Sequence, residues 1–335
     1  MTGREKSGLK TEKEVRNRLK NAPAILSSYM EYQTDMQPTT LKTYVNHLIR
    51  FSLFLKENEV SIEEPEQIRP TDIAAWIRSI EYTEKNGNQH KTSSSYRVTA
   101  WSSVNSFFAF CLANGYVKEN TCEKTKRPKS NDPLHKDDYL TLNQMQELST
   151  RTKVGLQNVS EYQKEINERF LTRDHLIITL FLSLGIRASA LKDIDVSDID
   201  MENGYVYLIE KGEKHRRLKL HEKALTAVRN YLPDRETLLK GKEDTALFIS
   251  WQGKRCTYET INNVVKKYTK DALSAQKSCH KLRHSFCSAA YEAQHDVEVC
   301  RELMGHKNIS TTMRYIGTDF DRKSEEIGDY IAVAL

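Results

Sequence analysis

The chain has 335 residues, with 51 Lys and Arg against 46 Asp and Glu and a net charge of +5 with His neutral. That length predicts two domains rather than one, and the modest basic excess permits a polyanionic partner without demanding it. The six cysteines show no C-x-x-C pair or metal spacing, and no stretch approaches 18 consecutive apolar residues, so the sequence predicts no disulfide framework, zinc site, secretory leader or membrane span, but a soluble cytoplasmic protein with free thiols.

Residues 1–22 read as a basic, solvated and partly helical tail, since Arg4, Lys6, Lys10, Lys13, Arg16, Arg18 and Lys20 outnumber Glu5, Glu12 and Glu14. Residues 23–123 read as a helical domain. Leu41, Tyr44, Val45, Leu48, Phe51, Ser52 and Leu55 trace one helical stripe after a Thr39-Thr40 cap. Pro70 opens a second helix through Ile73 and Ile77. After a polar loop over 84–95, a third runs through Val98, Trp101, Val104, Phe108 and Leu112 to Asn114-Gly115. The outer faces carry Lys42 and Arg50 on one helix and Lys91 and Arg97 at the start of another, residue types and places suited to phosphate contacts.

Residues 124–138 combine two prolines with cations, among them Lys126, Arg127 and Lys129, and have no apolar period, so they read as an interdomain linker. The second domain, 139–335, opens with a capping box, Thr141 to Gln144. A polar stretch over 155–168 follows, then a helix over 173–184 that delivers Gly185-Ile186-Arg187. Alternation over 204–209 marks a strand. A basic hairpin tip with Lys211 and Lys214 leads into a return strand. Helices over 223–232 and 258–270 follow, and Lys266, Lys267 and Lys270 could line a groove for a polyanion.

From Cys279 to Tyr315 the polar residues are the exceptions needing a reason. His280 and Arg283 stand one turn apart; His306 follows a glycine; Tyr315 lies nine residues on, behind Ser310-Thr311-Thr312, which reads as a helix start. Val297, Val299 and Leu303 read as the packing side of an intervening helix. A phenol is a poor nucleophile near neutral pH, and a phosphodiester repels an incoming anion. Guanidinium groups neutralise and orient two phosphate oxygens at once, and a histidine can take or share the phenol proton.

These residues stand as H-x-L-R-H, then L-x-G-H-x-x-I-S-T-T, then Tyr315, and this pattern resembles the tyrosine recombinase (phage integrase and Xer) family. G-I-R-x-S-x-L around Arg187 and E-K-G-x-K-x-R around Lys211 match further motifs of that family. P-x-T-L-x-x-Y from Pro38 and F-F-A-F-C-L-A-N-G-Y from Phe107 are similar to its core-binding domain, so the resemblance spans the chain from about residue 23. It implies a mainly α fold with a small antiparallel β-sheet, built as a helical core-binding domain and a mixed α/β catalytic domain that form a C-shaped DNA clamp. It implies that Tyr315 attacks the scissile phosphate and leaves a 3′-phosphotyrosyl link. Arg187 and Arg283 would clamp the phosphate, His306 would add a third donor, His280 would assist the phenol proton, and Lys211 would protonate the leaving 5′-oxygen. No metal and no cofactor enter this scheme. The partners implied are double-stranded DNA with inverted-repeat sites and further copies of the chain, four in the synaptic complex, for a mobile genetic element. Two departures stand out. Ala190 sits where the family carries Glu or Asp, so Arg187 needs another partner, and the 155–168 stretch is longer than usual. Past Tyr315 an acidic run ends in Tyr330-Ile331-Ala332-Val333-Ala334-Leu335, which the resemblance assigns to docking on a neighbouring protomer. A type IB topoisomerase-like enzyme and a catalytically silent DNA-binding regulator are the alternatives.

Overall fold

The computed structural model describes residues 3–85, 88–129, 139–210 and 214–316. The chain divides into two compact units, Met1–Pro133 and Leu134–Leu335. In the first, α1 (Gly3–Leu19), α2 (Ala24–Tyr32), α3 (Pro38–Glu57), α4 (Pro70–Ser79) and α5 (Ser94–Ala113) surround one core. Along α3 the buried Leu41, Val45, Leu48, Phe51 and Leu55 face α1 and α5, the i, i+3, i+4 geometry that period 3.6 imposes. Trp76, Tyr29, Phe51, Phe107 and Phe108 are the largest side chains fully buried in this core.

Three expectations for this unit need correction. The N-terminal segment is not a solvated tail: α1 lays Val15 and Leu19 into the core, because these two residues stand one turn apart on an otherwise charged helix. Helix α3 begins at Pro38 rather than after the threonine pair, since proline lacks the N–H that a first-turn residue leaves unbonded anyway. The stretch read as a polar loop is a hairpin, β1 (Tyr82–Lys85) with β2 (Asn88–Lys91), paired antiparallel with Tyr82 opposite Lys91. Its composition hid it, since apart from Tyr82 its strands carry no apolar residue and so no alternating pattern.

The second unit is built around α8 (Leu171–Leu184), none of whose residues is exposed, packed against α6 (Leu142–Val154), α10 (Glu222–Leu239), α11 (Tyr258–Leu273) and α12 (Cys279–Gln294). A helix buried on every side gives no clean amphipathic stripe. In chain order α7 (Glu161–Glu168) precedes α8. Then α9 (Ala188–Asp193) leads to an antiparallel sheet of β3 (Ile199–Asp200), β4 (Tyr205–Glu210) and β5 (Lys214–Lys219) in that order, with Leu208 opposite Arg216. Val206 and Leu208 point into the core while Tyr207 and Ile209 face solvent. Helix α10 continues seven residues past Leu232, through Pro233, because Leu238 and Leu239 are buried and the proline removes one hydrogen bond without removing that burial. Helices α13 (Val297–Met304) and α14 (Ile309–Ile316) close the described part, packed on α12 and on each other. The packing side of α13 is Cys300 and Met304 with Val297 against them, as expected of Val297, whereas Val299 and Leu303 are 39% and 38% exposed, contrary to the face read from the sequence.

The 155–168 stretch is ordered by one carboxylate. Asp271 on α11 accepts from the backbone N–H of Asn158 at 2.6 Å, from that of Gln157, and from Arg151 at 2.7 Å. Burial alone would raise its pKa, but these donors hold it below the usual carboxylate range. Helix α7 follows with its own capping box, Ser160 to Gln163. Among the described residues no helix is long and apolar enough to cross a membrane.

Candidate active site

The site grows from the end of α8. Gly185 caps that helix with φ 56°, a left-handed conformation, and a Cβ there would meet the Phe286 ring at 2.2 Å. The absence of a side chain lets α12 lie close, and Arg283 of α12 donates from Nη1 to the Gly185 carbonyl at 2.5 Å. Two residues beyond the glycine, Arg187 stands at the position just before α9, leaving its side chain for other partners.

Three arginines from three different elements converge on the C-terminal end of α13. Arg216 of β5 donates to the carbonyl of Leu303 at 2.6 Å, Arg283 to that of Met304, and Arg187 to that of Gly305 at 3.3 Å. The carbonyls of a last helical turn lack intrahelical partners and carry the negative end of the helix dipole, so they attract cations. This answers the question raised by Ala190, itself buried: the carbonyl of Gly305 gives Arg187 an acceptor where a carboxylate is missing.

His306 follows directly. It is 5% exposed, its Nε2 lies 3.2 Å from Arg283 Nη2, its Nδ1 lies 2.9 Å from Thr312 Oγ1, and its carbonyl accepts from Arg301. Burial first, then the charges of Arg283, Arg187, Arg216 and His280, push its pKa down to about 4, so the ring is neutral near pH 7. A guanidinium has no lone pair to give, so Nε2 is the acceptor in the contact with Arg283. In this arrangement Nε2 accepts, so the donation to phosphate expected of His306 requires a second proton on the ring. His280 lies at the solvent-facing side of α12, its ring 4.2 Å from that of His284. Protein crowding, followed by the charges of Arg283, Lys281 and Arg187, lowers its pKa as well. Tyr315 lies on α14 three residues past Thr312, with its side chain outside the described residues, and Lys211 lies outside them altogether. Of the six expected site residues, the structure thus gathers Arg187, Arg283 and His306 in direct contact with one helix end and places His280 beside them.

The sequence reading assigned no role to two contributors. Arg216 was visible as the R of E-K-G-x-K-x-R, and Thr312 stood in the cluster read only as a helix start. Burial raises all six cysteine thiols, Cys279 and Cys287 to about 12, so none competes as a nucleophile. Among the described residues no three His, Cys, Asp or Glu side chains stand together as a metal-binding group.

The cations expected to meet DNA have partners of differing strength. In the first unit Lys42 pairs with Glu14, Lys91 and Arg97 share Glu81 at 3.5 Å each, Arg50 donates to the Tyr96 hydroxyl, and Arg127 lies over the Trp101 ring. Lys126 and Lys129 are exposed. In the second unit Lys266 is half-buried near Cys279, and Lys214 opens β5 with its side chain outside the described residues. Lys267 does not line a groove: its ammonium sits 2.6 Å from the wholly buried Asp174 carboxylate, as a buried carboxylate requires.

Comparison with known proteins accords with this geometry. The sequence profile of the phage integrase family matches residues 140–322, and that of the phage integrase N-terminal SAM-like domain matches 26–115. Tyrosine recombinase XerC of Escherichia coli O157:H7 (strain EC4115 / EHEC) is 29% identical over 297 residues, which cover 87% of this chain and 90% of that protein. The fold is similar to that of the XerH site-specific recombinase bound to palindromic difH substrate, with a TM-score of 0.68, 18% identity and coverage of 96% of this chain and 89% of that one. It is also similar to a lambda integrase tetramer bound to a Holliday junction, with a TM-score of 0.60, 18% identity and coverage of 88% and 78%. With the profile covering more than half of its length, the chain belongs to the phage integrase family.

Proposed function

We propose that this chain is a site-specific DNA recombinase that cuts and rejoins strands through a 3′-phosphotyrosyl intermediate, acting in the cytoplasm as four copies on inverted-repeat DNA. The observation that carries this reading is the gathering of Arg187, Arg283 and His306 at one helix end, next to the helix that bears Tyr315. Tyr315 Oη attacks phosphorus in line, the P–Oη bond forms, the P–O5′ bond breaks, and the phenol proton passes to His280 or a water it holds. Lys211 protonates the departing 5′-oxygen. Arg187 and Arg283 hold the nonbridging oxygens as charge develops there. His306 steadies Arg283 and becomes a donor on taking a proton, a change that the phosphate's negative charge favours by raising its pKa. The 5′-hydroxyl of a partner strand then reverses the step, and the retained bond energy makes ATP unnecessary. Lys42, Arg50, Lys91, Arg97, Lys126, Arg127, Lys129, Lys214 and Lys266 supply backbone contacts that position the duplex.

The test is incubation in EDTA with a suicide substrate nicked near the cleavage point. A covalent protein–DNA adduct is expected from the unsubstituted chain and none from Tyr315→Phe; an adduct that persists in Tyr315→Phe overturns the nucleophile. Lys211→Ala is expected to recover on a 5′-bridging phosphorothiolate, whose sulfur leaves without a proton, and Arg283→Ala is not. Equal recovery of both removes the general acid. Service to a mobile genetic element predicts a footprint on attachment-site repeats flanking the chain's own gene.

A further inference from the structure

We infer that Thr312 is a positioning residue that fixes the proton of His306 and ties the tyrosine-bearing helix to it. The inference rests on the reading of His306 and Tyr315 as site residues. Three fully or nearly buried groups stand in a row: Arg283 at 2%, His306 at 5% and Thr312 at 0% exposure. The 3.2 Å contact from Arg283 Nη2 to His306 Nε2 has only one possible direction, because arginine has five N–H donors and no acceptor. Nε2 therefore carries the lone pair, and the single proton of the neutral ring sits on Nδ1. At 2.9 Å the acceptor for that proton is Thr312 Oγ1. Which ring nitrogen of a histidine is protonated is set by the hydrogen bond that the other makes. Here both ends of the ring are specified, and the alternative tautomer would turn an Nε2–H toward a guanidinium.

The second consequence is mechanical. Thr312 belongs to α14 (Ile309–Ile316), three residues before Tyr315 on that helix. The same hydroxyl that reads the His306 proton thus holds this helix against the end of α13, where Arg187, Arg216 and Arg283 gather. The low basicity of His306 agrees with a neutral ring in this position, with Arg283, Arg187, Arg216 and His280 the charged or titratable groups around it.

The experiment pairs Thr312→Val, which keeps the shape and removes the hydroxyl, with Thr312→Ser, which restores it. Imidazole 15N shifts of His306 are read at neutral pH, with the resonance assigned by its loss in His306→Asn, and adduct formation is timed on the nicked substrate. The expected result is an Nδ1–H signature in the unsubstituted protein, a mixed or Nε2–H signature in Thr312→Val with adduct formation slowed about tenfold or more, as loss of one oriented hydrogen bond implies, and recovery of both in Thr312→Ser. An Nε2–H ring in the unsubstituted protein overturns the inference, as does a Thr312→Val chain with unchanged rate or unchanged shifts. A slow Thr312→Ser chain also overturns it, since a defect of packing alone would explain that result. If the unsubstituted chain forms no adduct, the nucleophile reading fails by itself, while the nitrogen shifts still decide the proton's place.

Discussion

At the scale of single residues, the site is defined by what guanidinium groups can do that ammonium groups cannot. Arg283 meets the Gly185 carbonyl, the Met304 carbonyl and His306 Nε2 from one planar fork. A lysine is a point charge on a flexible stem and cannot hold three acceptors in two directions. Arg283→Lys is therefore expected to slow adduct formation about 100-fold, near the loss for Arg283→Ala and in the range seen when one oriented donor is removed from an anion site. A lysine variant that cuts at the unsubstituted rate would show that charge alone suffices. Arg216 is only half-buried and makes its 2.6 Å bond to the Leu303 carbonyl at the rim. Its loss in Arg216→Ala is expected to cost about tenfold, the scale of one charge-assisted hydrogen bond in a solvated place, measured in the same adduct assay. These residues differ in how far the sequence revealed them. Arg283, His306 and Arg187 were legible because their chemistry at those spacings has no bland explanation when taken together. Thr312 was not, since a threonine near a helix start is ordinarily a cap, and only the 2.9 Å approach of the His306 ring distinguishes it. The direction of the proton on His306 was hidden for the same reason: it depends on a neighbour 23 positions away in sequence.

At the scale of elements, the C-terminal end of α13 is a template. Three successive carbonyls, of Leu303, Met304 and Gly305, each take one arginine, from β5, α12 and the start of α9. None of these elements is near another in sequence, so no local pattern could announce their meeting. Hydrophobic period did locate α3, α5 and α8, whose buried residues recur at helical spacing or fill a continuous run. It failed at β1–β2, whose sequence carries no apolar residue besides Tyr82, and in part on α13, where Cys300 and Met304 are the buried residues, with Val297 packed on them, while Val299 and Leu303 face outward beside Arg216 and Arg217. What holds the template in place is the close pass of α12 over Gly185. Gly185→Ala would put a methyl 2.2 Å from the Phe286 ring and force an L-residue to φ 56°. The left-handed conformation costs about 1 kcal/mol and overpacking about 1 to 3 kcal/mol more, so the expected loss is about 2 to 4 kcal/mol in urea unfolding. Adduct formation should fall beyond what the lost stability explains, because Arg283 hydrogen-bonds the same residue's carbonyl. A variant as stable as the parent would mean that α12 can shift without penalty.

At the scale of the whole molecule, buried or half-buried neutral histidines in both units make stability depend on pH. His47 in the first unit and His175 and His306 in the second are pushed down to about 4, in each case first by burial and then by nearby cations: Arg50 for His47, Lys153 for His175, and Arg283, Arg187, Arg216 and His280 for His306. An unfolded chain takes up a proton on each ring below about pH 6.5, its ordinary value, whereas the folded chain does so only near pH 4. The unfolded state thus binds more protons throughout that window. Stability is at its full value above pH 6.5, falls as the pH drops toward 4, and stops falling on this account below it. The size is about 2 kcal/mol per histidine between pH 7 and pH 5 by linkage. The carboxylates held low by their partners, Asp271 and Asp72 among them, act in the same sense only below about pH 4, where they begin to protonate. Between pH 7 and pH 5 the histidines therefore dominate, and the second unit, with two such rings and with His221 and His280 lowered in the same sense, should lose at least twice what the first loses. Calorimetric unfolding of the full chain at the two pH values is expected to show both units melting at lower temperature in acid, the second shifted further. His175→Gln, which cannot take a proton, should shrink the second unit's shift while leaving the first unit's unchanged. Midpoints that stay fixed from pH 7 to pH 5 would mean that these rings open to water and charge without unfolding, and the neutral ring on which Arg283 depends would then be lost in mild acid as well.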